Sequence, residues 1–158
     1  MQNGMEHDKF TFKIVEGVPS KKLLQEILIV YKSIFDGYKL NFFKERIHKK
    51  EDILMILCYQ QKQLLGFKIG YRYNDITFYS WVGGVLPENR GNGIAKQLAQ
   101  LQEQRVKEKG YQTLRTKSMN RFKPMMILNL KNGFDITNIY TNDVGQTKIV
   151  FEKLLITE

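Results

Sequence analysis

The chain is poor in cysteine, histidine and long apolar runs, and each shortage excludes a class of protein. It contains one cysteine and two histidines in 158 residues. The lone Cys58 cannot form an intramolecular disulfide, and two isolated histidines with one cysteine make no metal-binding set. The longest apolar run, residues 53–59, is much shorter than the roughly 18 residues of a membrane span. We therefore expect a cytoplasmic protein without a metal or a membrane segment, in which Cys58 is a buried, inert thiol.

The chain carries a formal net charge of +9. Such a charge attracts nucleic acid, anionic lipid or an anionic small molecule, and does not choose among them. The basic residues are scattered, as in Lys21-Lys22, Lys49-Lys50 and Lys107 to Lys109, instead of forming one tail. A solvated basic surface is the simpler interpretation, and a nucleic-acid patch is the alternative.

Length and hydrophobic content are typical of one domain, which we expect to span residues 1–158, with residues 1–8 as a flexible terminus. Alternating polarity and helical spacing predict strands at 9–14, 53–59, 64–73, 76–86, 111–118, 134–140 and 148–155. The same patterns predict helices from Ser20 to about Phe35, from Asn41 to His48, from Gly91 to Gly110, and from an Asn120 cap to Asn132, the last with Met125, Met126 and Leu130 facing inward.

This order of elements predicts an α/β (α+β) fold with a mixed, mostly antiparallel sheet of about seven strands flanked by helices on both faces. The three middle strands form an antiparallel meander. The strand that ends at Leu86, the helix that follows it and the strand 111–118 form a βαβ unit with a right-handed crossover.

The most informative segment runs from Glu88 to Gly93, between a strand and a long helix. Glycines at 91 and 93 allow close approach of a ligand to the backbone, and free N–H groups at a helix N-terminus suit a phosphate or pyrophosphate. A tight strand-to-helix turn without a ligand is the alternative. The segment lacks the Gly-Lys-Ser/Thr of a Walker loop and the third glycine of the dinucleotide fingerprint, so it is neither of these.

The same segment resembles the pyrophosphate signature of the GNAT acetyltransferase superfamily, Gln/Arg-x-x-Gly-x-Gly/Ala. Gly91 and Gly93 match the glycine positions and Arg90 matches the frequent basic residue before them, whereas Glu88 stands where Gln or Arg is typical. A second frame, Arg90-x-x-Gly93-x-Ala95, matches the pattern in full. We prefer the first frame because it starts the helix where the helical periodicity starts. The resemblance spans the chain.

The resemblance implies acetyl-coenzyme A (acetyl-CoA) as co-substrate, with its pyrophosphate on the segment from Arg90 to Ala95. The implied binding residues of this segment are Arg90, Gly91, Asn92, Gly93, Ile94 and Ala95. It further implies a backbone N–H donor for the developing oxyanion near Gly84, Val85 or Leu86. Gly83-Gly84 would allow this strand to splay from strand 111–118 and admit the pantetheine arm, or could mark a bulge.

A second part of the resemblance is the Asn that opens a helix ending shortly before Gly-Phe, here Asn120 and Gly133-Phe134. By this analogy Asn120 and Lys123 contact coenzyme A, although Lys123 could equally be a surface residue. Many relatives carry a Tyr that protonates the leaving thiolate where this chain has Asn129. An amide is a poor proton donor, so Asn129 is expected to hydrogen-bond the cofactor instead.

The function implied is an N-acetyltransferase that moves an acetyl group from acetyl-CoA to a primary amine of a small molecule, peptide or protein by direct attack. A non-catalytic acyl-CoA sensor is the alternative, nucleic-acid binding is disfavoured, and a monomer or homodimer is expected. No residue is marked as catalytic. Side chains that could reach the cleft or flank the acceptor are Glu45, Asp36, Tyr38, Tyr79, Trp81 and Ser118.

Overall fold

The structure, a computed structural model, describes residues 9–155 and contains a seven-stranded sheet and four α-helices. The strands are β1 (Thr11–Glu16), β2 (Leu54–Gln60), β3 (Gln63–Arg72), β4 (Thr77–Val85), β5 (Thr113–Ser118), β6 (Asp135–Thr141) and β7 (Thr147–Leu154). The helices are α1 (Lys21–Ile34), α2 (Leu40–Lys49), α3 (Ile94–Glu108) and α4 (Lys123–Lys131). The expectation of a flexible terminus at residues 1–8 lies outside the described residues.

The strands follow the order β1-β2-β3-β4-β5-β7-β6 across the sheet. Only β4 and β5 run parallel, and α3 connects them; all other neighbours are antiparallel. The meander forms because short turns join β2, β3 and β4. One of these turns is fixed by the Asn74 side chain, which accepts the N–H groups of Ile76 (3.0 Å) and Thr77 (2.8 Å). The predicted mixed, mostly antiparallel sheet is confirmed.

The core lies on both faces of the central strands. Consecutive residues Leu54 to Cys58 of β2 are all buried, which requires cover on both sides of the strand. Helix α1 packs on β3 and β4, and α3 packs on β2, β3 and β4. Cys58 is fully buried, and burial raises the pKa of its thiol to about 11, so the prediction of a buried, inert cysteine is confirmed.

Helix α1 begins where the sequence predicts. The Ser20 hydroxyl oxygen accepts the N–H of Leu23 at 3.2 Å and so caps the helix. Buried residues Leu24, Ile27 and Leu28 recur on one face. The order of elements and most boundaries agree with the sequence patterns to within two residues.

Two predictions for α4 are wrong. Asn120 does not cap this helix, because the chain first makes a turn at residues 119–122 and α4 begins at Lys123 with Phe122 at the cap. Pro124, which lacks an N–H and suits the first turn of a helix, explains this start. Met125 (44% exposed) and Leu130 (50%) face outward, Met126 is half-buried and packs against the core as predicted, and the buried residue is Asn129. Helix α4 is apolar on nearly every side, so periodicity could not identify its inner face.

Candidate functional site

Strands β4 and β5 separate halfway along their length. Thr77 to Ser80 pair with Thr113 to Thr116, but the remainder of both strands is unpaired with the other. The Thr116 hydroxyl donates a hydrogen bond to the carbonyl of Ser80 at 3.0 Å, at the last paired position of the two strands. Beyond it a gap opens between residues 81–85 and 117–118. The expected splaying of this strand from its neighbour is therefore present.

A bulge in β4 lies at the start of the gap. Ile69 is opposite Val82 whereas Gly70 is opposite Ser80, so Trp81 is the extra residue. Farther along, the N–H of Leu86 donates to the carbonyl of Leu65 at 2.8 Å.

Antiparallel strands alternate their hydrogen-bonding side. The bond made by Leu86 therefore directs the N–H groups of Val85 and Gly83 away from β3 and into the gap. Of the three expected donors, Leu86 has its N–H engaged, and Val85 presents its N–H to the gap. Gly84 has a different structural role: a Cβ there would lie 2.9 Å from Ile34 of α1.

The chain leaves β4 through a short 3-10 turn, Pro87–Asn89, and enters α3 through Gly91 and Gly93. Both glycines have positive φ, +85° and +78°, and a Cβ on either would meet no atom within 4 Å. Glycine is thus required by the backbone, and the space beside it is open to a ligand.

The N–H groups at this corner are free. Within residues 9–155, no acceptor bonds the N–H groups of residues 91–96, and the first helical bond runs from Gln97 to the carbonyl of Gly93. Gly93 is the N-cap and supplies no side chain to cap the helix. Unbonded N–H groups at the positive end of a helix dipole are the kind of group that suits a phosphate-sized anion, as the sequence predicts for this corner.

Three polar side chains surround this anion site. The Arg90 Nε donates to the carbonyl of Val85 at 3.1 Å, and the Asn92 amide donates to the carbonyl of Asn89 at 2.9 Å. The first contact holds the loop against the end of β4, and the second lies within the loop. Lys96, an exposed cation in the first turn of α3, was missed in the sequence analysis. The sequence alone could have indicated Lys96, because a cation in the first turn of a helix adds attraction for an anion bound at the helix N-terminus.

The other side of the gap is formed by β5, and the chain continues from β5 through residues 119–122 into α4. Asn120 and Lys123 follow directly after β5, and the Lys123 ammonium donates to the carbonyl of Asn120 at 2.6 Å. Asn129 is the buried residue of α4, 9% exposed. Parallel strands bring their carboxyl ends to one edge of a sheet. The segment 119–123 and the Gly91–Gly93 corner therefore both lie at the edge where the gap opens.

Aromatic and basic side chains flank the start of the gap. Tyr79 and Trp81 lie on either side of Ser80 in β4, and Tyr71 contacts both, with ring centroids 5.4 and 6.1 Å away. Arg46 of α2 lies 5.0 Å over the Trp81 ring. Lys117 of β5 lies 5.7 Å from the centroid of Tyr79 and 5.3 Å from that of Tyr140. Burial raises the pKa of Tyr79 to about 12.

A separate cavity of about 430 Å³ lies at the opposite end of the β4–β5 pair. Asp52, Arg72, Asp75, Lys109 and Tyr111 line it with Gly110. Its charges already satisfy one another: the Lys109 ammonium pairs with Asp52 at 2.7 Å, the Tyr111 hydroxyl donates to Asp52 at 2.5 Å, and Arg72 pairs with Asp75. This cavity lacks the free N–H groups of the gap and is not the candidate site.

The described part of the chain lacks two features, a metal-binding cluster and a membrane-spanning helix. Residues 9–155 contain no group of three or more His, Cys, Asp or Glu side chains that could hold a metal ion. They also contain no helix that is long and apolar enough to cross a membrane. What the site does offer is an anion-binding corner joined to a slot between two strands.

The family model of the Acetyltransferase (GNAT) family matches residues 22–124. This match covers more than half of the chain and includes the gap and the Gly91–Gly93 corner. The chain belongs to the GNAT acetyltransferase family and is thus an acyltransferase by class.

Solved structures show the same fold. A GNAT-family protein from Desulfovibrio desulfuricans has a TM-score of 0.78 at 12% identity, covering 92% of this chain and 100% of its own. The ribosomal-protein-S18-alanine N-acetyltransferase of Escherichia coli has a TM-score of 0.77 at 14% identity, covering 94% and 96%. A GNAT acetyltransferase from Elizabethkingia anophelis with acetyl-CoA bound has a TM-score of 0.69 at 18% identity, covering 90% and 97%. Comparison with curated protein sequences gives no match.

Proposed function

We propose that this protein transfers an acetyl group from acetyl-CoA to a primary amine. The observation that supports it most strongly is the set of unbonded N–H groups of residues 91–96 beside the gap between two parallel strands. A pyrophosphate fits the first feature and a narrow, extended thioester arm fits the second. A solved GNAT neighbour has acetyl-CoA bound, which agrees with this choice of co-substrate.

In this proposal each part of the site has one task. The N–H groups from Gly91 to Lys96 bind the pyrophosphate, and the Arg90 side chain holds this loop against β4. The pantetheine arm lies in the gap, bordered on its far side by Asn120, Lys123 and Asn129. The N–H of Val85 donates to the thioester oxygen, where negative charge develops during attack.

The transfer itself needs two proton movements. The amine nitrogen attacks the carbonyl carbon, the C–S bond breaks, the amine loses a proton and the departing thiolate gains one. Tyr79 is our candidate for the second movement because its ring lies at the start of the gap beside Lys117; its pKa of about 12 keeps the hydroxyl protonated at neutral pH but makes it a weaker acid than an ordinary tyrosine. It is not suited to the first, since such a group is no base near neutrality.

The amine of a protein or peptide is one candidate acceptor. The Escherichia coli neighbour is named for acetylation of an alanine of ribosomal protein S18. In this chain Trp81 and Tyr79 lie at the start of the gap, and Phe43 and Arg46 of α2 contact Trp81, so an acceptor would approach the thioester past these side chains.

A non-catalytic acyl-CoA sensor is the second candidate. It is favoured by one observation, the buried Asn129 at the position where many relatives carry the tyrosine that protonates the thiolate. Both candidates bind coenzyme A, and they differ only in turnover.

The experiment measures both properties. Calorimetry gives the affinity for acetyl-CoA, and thiol release is followed with small amines and with peptides that have free N-termini. Binding together with amine-dependent thiol release supports the enzyme. Binding without release on any amine supports the sensor, and absence of binding contradicts both.

A further inference from the structure

Three half-buried cations lie on one face of the sheet: Arg46 and Lys117 contact the aromatic rings at the mouth of the gap, and Arg115 lies in the paired part of β5, with its guanidinium over Tyr73. Arg115 and Lys117 alternate with Thr116 in β5 and so lie on the face of the strand opposite to it. Arg46 reaches the same aromatic cluster from α2. We call Arg46, Arg115 and Lys117 the gap cations.

The gap cations contact aromatic rings where carboxylates would be expected. Arg46 lies over Trp81, Arg115 lies 4.7 Å over Tyr73, and Lys117 lies between Tyr79 and Tyr140. In the described chain, residues 9–155, none of the three has a carboxylate oxygen within 4.0 Å. Two carboxylates are neighbours of these cations in the chain or in the sheet. Glu45, next to Arg46 in α2, pairs with Lys49, and Glu152, opposite Arg115 in β7, makes no ion pair with Arg115.

Arg115 adds a second observation. Its Nε is buried and lacks a hydrogen-bond partner among the described residues. A buried donor on a charged group is costly to leave unbonded, and ring contacts recover only part of the lost hydration of a cation. An acceptor group on a ligand would satisfy it once the guanidinium turns from Tyr73 toward the gap.

We propose that the acceptor is an amine whose molecule also carries a carboxylate close to the reacting nitrogen. The gap cations bind that carboxylate and hold the amine at the thioester. This inference rests on the proposed function and names its substrate class. Three positive charges on this face of the sheet would attract such an acceptor and repel a cationic one.

The first test compares matched acceptors. Three tetrapeptides share an N-terminal alanine and continue with two acidic, two amide or two basic residues, and an aminocarboxylate is paired with the alkylamine of equal length. We expect kcat/KM to be about tenfold higher for the acidic peptide than for the amide peptide, and lowest for the basic one. Comparison of the aminocarboxylate with the alkylamine shows whether a single carboxylate is sufficient for recognition. Equal rates, or a preference for the basic peptide, would overturn the inference while leaving acetyl transfer intact.

The second test reverses the charge. Lys117→Glu should lower kcat/KM for the acidic peptide at least about tenfold and raise it for the basic peptide. Lys107→Glu, an equal charge change on an exposed residue of α3, is the control and should change neither. Lys117→Gln should lie between Lys117→Glu and the wild type, which guards against misfolding of the reversed variant. A loss of acetyl-CoA affinity in Lys117→Glu would assign Lys117 to the cofactor and contradict the inference.

A binding measurement makes the test independent of catalysis. Trp81 is the only tryptophan of the chain and lies under Arg46, so its fluorescence reports occupancy of the gap mouth. Titration of the coenzyme A-loaded protein with the three peptides should give the tightest binding for the acidic one, weakened in Lys117→Glu. If the acidic peptide binds no better than the basic one, the inference fails even for a protein that turns over no amine. Displacement of the acidic peptide by short single-stranded RNA at equal charge would instead identify a nucleic-acid surface.

Discussion

The positively charged side chains at the two ends of the β4–β5 pair contact different kinds of partner. At the paired end, Lys109 contacts Asp52 and Glu16, and Arg105 contacts Glu16 and Glu108. At the open end, Arg46 and Lys117 contact aromatic rings and no carboxylate in the described chain.

On our proposal, this difference separates charges that stabilise the fold from charges that bind a ligand. An ion pair satisfies a cation with another part of the protein, and its removal affects stability. A half-buried cation without a counter-ion costs stability and gives a binding advantage when an anion arrives. The same reasoning applies to the unbonded N–H groups of residues 91–96, which lie at the open end too.

The largest effect is expected at the anion-binding corner. Gly91→Glu should weaken acetyl-CoA binding by a factor on the order of 100, because a carboxylate repels the pyrophosphate and its side chain fills the open space beside the loop. Gly91→Gln is the matched control, with the same size and the same strain at positive φ, and should lose only a few-fold. Calorimetry measures both. Equal losses in the two variants would show that charge is not recognised there.

Tyr79→Phe is expected to have a smaller effect, which falls on turnover. The variant should lower kcat by a factor on the order of 10 to 100, because the thiolate loses its proton donor, and should leave acetyl-CoA affinity unchanged. Tyr111→Phe, at the paired end, removes the hydrogen bond to Asp52 and should lower stability without lowering kcat. If the two tyrosine variants gave the same kcat, Tyr79 would not be the donor.

At the paired end, Asp52→Asn should reduce the free energy of unfolding by about 1–2 kcal/mol, since the ion pair to Lys109 is lost. Asp75→Asn, which alters an exposed pair with Arg72, should change it by less than about 0.5 kcal/mol. Urea denaturation measures both, and kcat/KM should stay at the wild-type value. A change in kcat/KM at temperatures where Asp52→Asn is folded would break the distinction between the two ends.

The pH dependence of the Asp52 effect has a defined sign. Burial raises the pKa of this carboxyl, but hydrogen bonds from Lys109 and Tyr111 outweigh it, so the pKa lies below the ordinary 3.8. The unfolded chain then binds the proton more readily than the folded one. The stabilisation is complete above about pH 5 and is lost as the pH falls through the lowered pKa. The difference between wild type and Asp52→Asn should therefore shrink in acid.

The smallest effect concerns Lys68, which lies against Gly83. Burial lowers the pKa of Lys68 to about 8 from 10.5. Lys68→Met should raise stability by about 1 kcal/mol at pH 7, and the gain should fade as the pH rises from about 8 to 10.5, where the folded wild type sheds its proton before the unfolded chain does. Lys62→Met, in an exposed turn, is the control. A gain that is the same at pH 7 and pH 10.5 would show that the charge is not the cause.

The fold was predictable from the sequence because local signals agree with the tertiary structure in most elements. Ser20 caps α1 and Asn74 fixes a turn, and both act on neighbours within three residues. Helix α4 shows the limit of such signals. Pro124 set its start against the expected Asn120 cap, and a helix that is apolar all round does not reveal that Asn129 is the buried side.

The corner at Gly91 and Gly93 was predictable in the same way, since it is a local strand-to-helix turn. The mouth of the gap was not. Arg46, Lys117 and Tyr140 lie far apart in the chain, and only the placement of α2 and the strand order β5-β7-β6 bring them to the same side of the gap. The alternation of Arg115 and Lys117 in β5 was a visible hint, but it gained meaning only when the rings opposite were known.

The hydrogen bond from Thr116 to the carbonyl of Ser80 also has a consequence for the length of the acyl group. It marks the depth at which the gap ends, and a strand advances about 3.3 Å per residue. Moving the last paired position by one residue would therefore change the room for an acyl chain by roughly 3.3 Å, the span of two to three methylene groups. In the proposed binding mode, the extent of pairing between β4 and β5 thus sets an upper limit on the size of the group that can be transferred.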